Sequence, residues 1–182
     1  MQSTPQKMFP LQKERNKSMS FESRLSRSFE HAPTLPLTYS SRYVLFSDCH
    51  RGCANSNDNF LKNQNLYFSA LQYYYQNRFT YIELGDGDEL WENRKIEQII
   101  EVHSNVFWLL TKFAQQNRLY LLYGNHDMVK KKGNYSNCHC SSYFCTESQQ
   151  MQPLFPNLPY YGGVILEDSS GLRIYLTHGH QA

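Results

Sequence analysis

Residues Arg118 to Asp127 read "RLYLLYGNHD": an apolar run that stops abruptly at an amide, an imidazole and a carboxylate packed side by side. The run is short and rich in Leu and Tyr, which suits a buried strand, and the polar cluster is what that strand delivers at its C-terminal end. Upstream the same form occurs twice more. "RYVLFS", Arg42 to Ser47, runs into Asp48-Cys49-His50, and "TYIEL", Thr80 to Leu84, runs into Gly85-Asp86-Gly87-Asp88-Glu89. The segments between are helical by spacing. Phe60, Tyr67, Leu71 and Tyr74 share one stripe over Phe60 to Asn77, and Ile96, Ile99, Ile100, Phe107, Leu110 and Phe113 share one over Ile96 to Asn117. The rhythm β-α-β-α-β predicts an α/β fold with parallel strands and crossover helices.

Downstream, Met128 to Tyr161 carries three lysines, a cysteine cluster and Pro153, Pro156 and Pro159, without clear periodicity. It reads as a loop insertion at about 128–161. Gly163 to Glu167 and Arg173 to Thr177 then read as two strands, with Asp168 to Gly171, "DSSG", as the turn between them. Residues 1–39 are rich in Ser, Gln, Lys and Arg and end with Pro33 and Pro36; they read as a polar, flexible tail with a short helix around Phe21 to Phe29. The domain proper is expected over 40–182.

The 182 residues are 40% apolar and 15% aromatic, enough for one domain with its own core. A formal charge of +2 gives no nucleic-acid signal. No apolar run reaches membrane-spanning length, and Met1 to Ser20 lacks the apolar centre of a secretory signal, so a cytoplasmic location is expected. The five cysteines are odd in number and are read as reduced thiols. Cys138-His139-Cys140 with Cys145 matches no common structural zinc spacing and reads as a polar loop with free thiols.

The strand ends carry the chemistry. They finish in Asp48-Cys49-His50, in Gly85-Asp86, in Gly124-Asn125-His126-Asp127 and in Thr177-His178-Gly179-His180. In an open sheet, ligands bind beyond the carboxyl ends of the strands. Asp48, His50, Asp86, Asn125 and His178 are therefore expected in one crevice. Each motif alone has a plain reading: a solvated turn, an acidic loop, a helix cap or a hydrogen-bonded histidine. Four strand ends in order, each with an oxygen or imidazole donor, point instead to a divalent metal site for Mn²⁺, Fe or Zn²⁺. A carboxylate such as Asp86 can bridge two cations about 3.5–4 Å apart.

With these blocks, "DCH", "GDGDELWE", "GNHD" and "THGH", the chain resembles a calcineurin-like metallophosphoesterase from about Arg42 to its last residue. "GDGDELW" also resembles the Gly-Asp-x-x-Glu-x-Trp of the UDP-2,3-diacylglucosamine hydrolase branch; that branch tends to carry Gly-Asn-Arg-Asp where this chain has His126, so its lipid substrate is not carried over. The resemblance implies an α/β/β/α four-layer sandwich and two divalent metal ions, Mn²⁺ first, with Fe or Zn²⁺ as alternatives. It implies that Asp48 and His50 bind one metal, that Asp86 bridges, and that Asn125 and His178 bind the second. His126 would protonate the leaving oxygen or stabilise charge, with Asp127 orienting it. The implied reaction is hydrolysis of a phosphate mono- or diester or a pyrophosphate by a metal-bridging hydroxide. The implied partner is a phosphorylated small-molecule or nucleotide-type substrate. Arg51 and Lys130 follow the first and third blocks and are candidates to touch a phosphate; the plain readings are a surface salt bridge and a solvated charge run. His103 is expected as a satisfied core histidine and Trp91 as packing. Glu89 and Glu92 are expected as supporting groups behind the ligands or as exposed carboxylates.

The family's closing Gly-His-x-His block has no counterpart here. "THGH" is followed by Gln181 and Ala182 and fits the preceding block, where a strand ends in a ligand His and Gly. The C-terminal part of the sandwich is thus expected to be incomplete, as in a truncated chain. The rival function is an inactive relative acting as a metal-binding or interaction module. A dinucleotide-binding fold is set aside: "DCHRGCANSNDNF" offers a single glycine, Gly52, after the first strand.

Overall fold

A computed structural model describes residues 20–56, 58–140, 142–145 and 148–180. Residues 1–19, the first half of the expected tail, lie outside the described residues. In chain order the elements are α1 (Phe21–Glu30), β1 (Thr34–Pro36), β2 (Tyr43–Phe46), α2 (Gln64–Gln76), β3 (Thr80–Glu83), α3 (Ile96–Val102), α4 (Ser104–Gln115), β4 (Leu119–Leu122), α5 (Tyr135–His139), β5 (Ser142–Cys145), β6 (Gln150–Pro153), β7 (Tyr160–Tyr161), β8 (Val164–Glu167) and β9 (Arg173–Leu176). Single 3-10 turns precede α2 and follow the "GNHD" block.

The fold is α/β. Four strands form a parallel sheet in the order β2-β3-β4-β7. A second sheet has the order β1-β8-β9, with β1 parallel to β8 and β9 antiparallel to it. Residue alternation in the first sheet explains how it is packed on both faces. Val44, Tyr81, Leu119 and Leu121 face α2, α3 and α4 in the larger core, with Leu71, Ile99, Phe107, Leu110 and Phe113. Ile82 and Leu122 face the other way and meet Leu35, Val164 and Leu166 of the second sheet.

Three expectations need correction. The expected tail reaches too far: Leu35 is 8% exposed and β1 pairs Thr34, Leu35 and Pro36 with Ile165, Leu166 and Glu167. As an edge strand β1 tolerates Pro36, which has no N–H to give a second neighbour. The long helix is two, because His103 closes α3 and opens α4, its side chain buried between Asp58 and Gln64. The insertion is largely ordered: α5 and the β5–β6 hairpin send Tyr135, Cys140, Tyr143, Leu154 and Phe155 into the larger core, and β7 joins the sheet.

Candidate metal centre

The first two strand exits run on side by side after the sheet ends. Asp48 N–H donates to the Gly85 carbonyl (3.2 Å), His50 N–H to that of Asp86 (2.9 Å) and Arg51 N–H to that of Gly87 (3.0 Å). This course needs left-handed backbone at Asp48 (φ 53°), His50 (φ 48°) and Asp86 (φ 51°). Such conformations cost roughly 1–3 kcal/mol each outside glycine and concentrate where function requires them. Gly85 (φ 99°) leaves room for His178, and a Cβ at Gly124 would run into the Asp86 carboxylate, so both glycines allow the exits to close on one point.

At that point the carboxylates of Asp48 and Asp86 meet two imidazoles. His178 Nε2 lies 3.3 Å from Asp86 Oδ2 and 3.6 Å from Asp48 Oδ1. His50 Nε2 lies 3.7 Å from Asp48 Oδ1 and 4.0 Å from Asp86 Oδ2. Asp86 is buried, with Oδ1 taken by the His126 N–H (2.8 Å), whereas the Asp48 side chain is 59% exposed and opens the cluster to solvent. The Ser47 hydroxyl donates to Asp48 and, ahead of the nearby histidines, holds its pKa below the usual range. Asp48, Asp86 and His178 form a group compact enough to hold a cation.

Glu89 is buried and takes the supporting place behind the ligands, the first of its two readings from sequence. It accepts from Nδ1 of His50 (2.8 Å) and from Nδ1 of His126 (2.8 Å), and the two rings stand edge to face 4.7 Å apart. Burial would raise the Glu89 pKa, but the His126 and His50 bonds overcome it and lower it. His126 shifts the opposite way: burial opposes its charge, and the Glu89 bond and the surrounding carboxylates together outweigh burial and raise its pKa. With Nδ1–H directed at Glu89, His50 presents its other nitrogen to two carboxylates. A carboxylate fixing an imidazole from behind is the usual support of a ligand histidine. His178 Nδ1 is likewise buried without a hydrogen-bond partner among the described residues. The donors present therefore fit a divalent metal.

The structure thus brings together Asp48, His50, Asp86 and His178, with His126 alongside. Asn125 is exposed at the exit of β4. Asp127 does not hydrogen-bond His126: its Oδ1 accepts the Gly124 N–H (2.6 Å) and its Oδ2 binds Lys130 (2.7 Å), so it shapes the turn and acts on the imidazole only through its charge. Arg51 and Lys130 do not reach a substrate. Arg51 is 1% exposed, paired twice with Glu83 (2.8 Å each) and once with Asp88 (2.7 Å). Lys130 is 2% exposed and bonded to Asp88 (2.6 Å) and Asp127. Burial opposes both charges; Asp88 and Glu83 outweigh it for Arg51, Asp127 and Asp88 for Lys130, and both cations are held above their usual range. Trp91 is 68% exposed rather than packed, its ring 4.9 Å from that of His126. His103 is buried and satisfied, as its position on the inner stripe implied. All five cysteines are free, and burial pushes the Cys49 and Cys140 thiols up to about 12, out of reach of thiolate chemistry at neutral pH.

No family model, curated protein or solved structure matches the chain. Among the described residues no helix is long and apolar enough to cross a membrane.

Proposed function

We propose that the chain is a metal-dependent phosphoesterase of the calcineurin-like kind, hydrolysing a phosphate mono- or diester or a pyrophosphate. The observation that carries this reading is the convergence of Asp48, His50, Asp86 and His178 from three separate strand exits, two carboxylates meeting two imidazole nitrogens within 4.0 Å. The packing of α1 supports the four-layer form of the fold: Phe29 stands edge-on to Tyr175 (5.2 Å), whose strand partner Ile165 shares the sheet face turned from the Ile82–Leu122 core.

Asp48, His50, Asp86 and His178 would hold divalent metal, Mn²⁺ first by donor type. Such cations supply charge neutralisation for phosphate oxygens and a water of lowered pKa. The protein supplies the rest. Glu89 holds His126 by Nδ1, which leaves Nε2 to face a phosphoryl group at the open side of the cluster. In the imidazolium form, which Glu89 favours, Nε2–H donates to the leaving oxygen. Arg51, Lys130 and their carboxylates fix the exits of β2, β3 and β4 against one another from behind.

The test is to strip the chain, reload it with Mn²⁺, and measure bound metal by elemental mass spectrometry beside turnover of p-nitrophenyl phosphate and bis(p-nitrophenyl) phosphate. Asp86→Asn is expected to lose metal and turnover together. His126→Ala is expected to keep the metal and lose about 10²–10⁴-fold in kcat. Unchanged metal binding in Asp86→Asn, or near-normal turnover in His126→Ala, overturns the reading.

A further inference from the structure

Beside the metal cluster lies a cavity of about 770 Å³, the size of a small-molecule site. Arg24, Arg27 and His31 line it from the α1 segment, and Tyr123, Lys131 and His180 line it from the strand exits. Five of these side chains are arginine, lysine or histidine, and among the described residues the lining includes no carboxylate. The whole chain has 18 Lys and Arg against 16 Asp and Glu, so this segregation does not follow from composition.

The cavity is built rather than incidental. The Tyr175 hydroxyl donates to Ser28 Oγ (2.7 Å) and ties α1 to β9. A Cβ on Gly162 would strike the Ser28 side chain and the Tyr123 hydroxyl, so glycine at this position leaves room for α1 beside β7. Lys131 Nζ lies 5.9 Å from the Tyr123 ring centre, and the His180 ring centre lies 5.7 Å from it. The cavity and the metal cluster share a wall: the His180 ring is 5.5 Å from that of His178, whose Nε2 faces Asp86.

We propose that this cavity binds the second anionic group of a substrate whose first phosphate lies at the metal cluster, so that the substrate carries two phosphoryl groups. Its role as a substrate subsite rests on the phosphoesterase reading; the anion site itself does not. Arg24, Arg27 and Lys131 supply the charge that attracts a phosphoryl dianion through charge-assisted hydrogen bonds, the His31 and His180 imidazoles add polar lining, and tyrosine walls accept whatever carbon framework joins the two phosphates.

The anion site is tested without metal. In EDTA no metal draws an anion to the cluster, so inorganic pyrophosphate that binds under those conditions and is lost in cavity variants is bound by the cavity. Calorimetric titration is expected to show saturable one-to-one binding. Arg27→Gln with Lys131→Gln is expected to weaken it by at least about tenfold; Lys131→Gln alone, at an exposed position, moves it the same way. Lys62→Gln with Lys95→Gln removes the same charge at exposed positions outside the cavity and leaves binding within about twofold. Absence of saturable binding, or equal weakening by the two double variants, overturns the proposal. Turnover of the Mn²⁺-loaded chain is read separately, so failure of the phosphoesterase reading shows there and not in the EDTA titration.

Discussion

Lys130, Lys131 and Lys132 are neighbours in sequence with different surroundings in the fold. Lys130 is buried with two carboxylates, whereas Lys131 and Lys132 are exposed. Removing one partner from a buried ion pair leaves an uncompensated charge in a medium that solvates it poorly. Lys130→Ala strands Asp88 and Asp127 and is expected to cost about 3–5 kcal/mol, read as a lower urea midpoint. Lys131→Ala is expected to stay within about 0.5 kcal/mol. Equal effects in the two variants would mean that the Lys130 pairs contribute nothing to the fold. Here the sequence was least informative. A run of three lysines resembles a solvated face, and the partners that distinguish Lys130 include Asp88, 42 positions away. Arg51 has the same history, with Glu83 32 and Asp88 37 positions distant. The ligand candidates were easier to see, because Asp48, Asp86 and His178 each follow an apolar strand directly.

Where α3 meets α4, His103 trades helix continuity for a side-chain bridge. Its Nε2 faces Asp58 Oδ2 (3.1 Å) and its Nδ1 faces the Gln64 amide (2.8 Å), and the side chains of both His103 and Asp58 are fully buried. Asp58 in turn accepts from the N–H groups of Ala54 (2.9 Å), Phe60 (3.1 Å) and Leu61 (3.0 Å), so the bridge ties the loop after the first motif block to both helices. Helical periodicity runs through His103 without interruption, which is why the break was not visible from spacing. Burial pushes the His103 pKa below its ordinary 6.5, with the Asp58 carboxylate opposing. The unfolded chain therefore takes up this proton first as pH falls. Stability contributed by neutral His103 is complete above about 6.5 and is lost as pH falls from there towards the lower folded pKa. Asp58 adds a second acid-side loss: burial would raise its pKa, but the Ala54 N–H and His103 outweigh it and lower it from 3.8, so its contribution fades as pH falls below that value. Denaturant midpoints of wild type and His103→Gln between pH 8 and pH 5 should converge on acidification, by at most about 1.4 kcal/mol per pH unit. Parallel curves would show that His103 titrates alike in both states.

At the scale of the molecule, the site depends on two sheets being held at a fixed spacing, because Asp48, His50 and Asp86 exit the first sheet while His178 arrives from β9 of the second. The parallel sheet was legible because β2, β3 and β4 are short apolar runs between amphipathic helices. The second sheet was legible only in β8 and β9, which make a hairpin with an evident turn. β1 and β7 escaped notice for a physical reason: two or three residues carry too little pattern, and their conformation is chosen by the strand they pair with. Yet β1 is the edge that carries Leu35 into the small core between the sheets, with Ile82, Leu122, Val164 and Leu166. Leu35→Ala removes buried apolar volume there and is expected to cost about 2 kcal/mol, the low end for such a change because an edge strand can relax. The same substitution in a detached tail would cost nothing. Because the two sheets position the ligands, Leu35→Ala should also weaken Mn²⁺ retention although it lies in neither motif nor cavity, whereas Leu66→Ala, at a 74% exposed residue of α2, should change neither the urea midpoint nor the metal. A Leu35→Ala chain with wild-type midpoint and metal content would place β1 outside the cooperative fold and leave β8 as the effective edge of the second sheet.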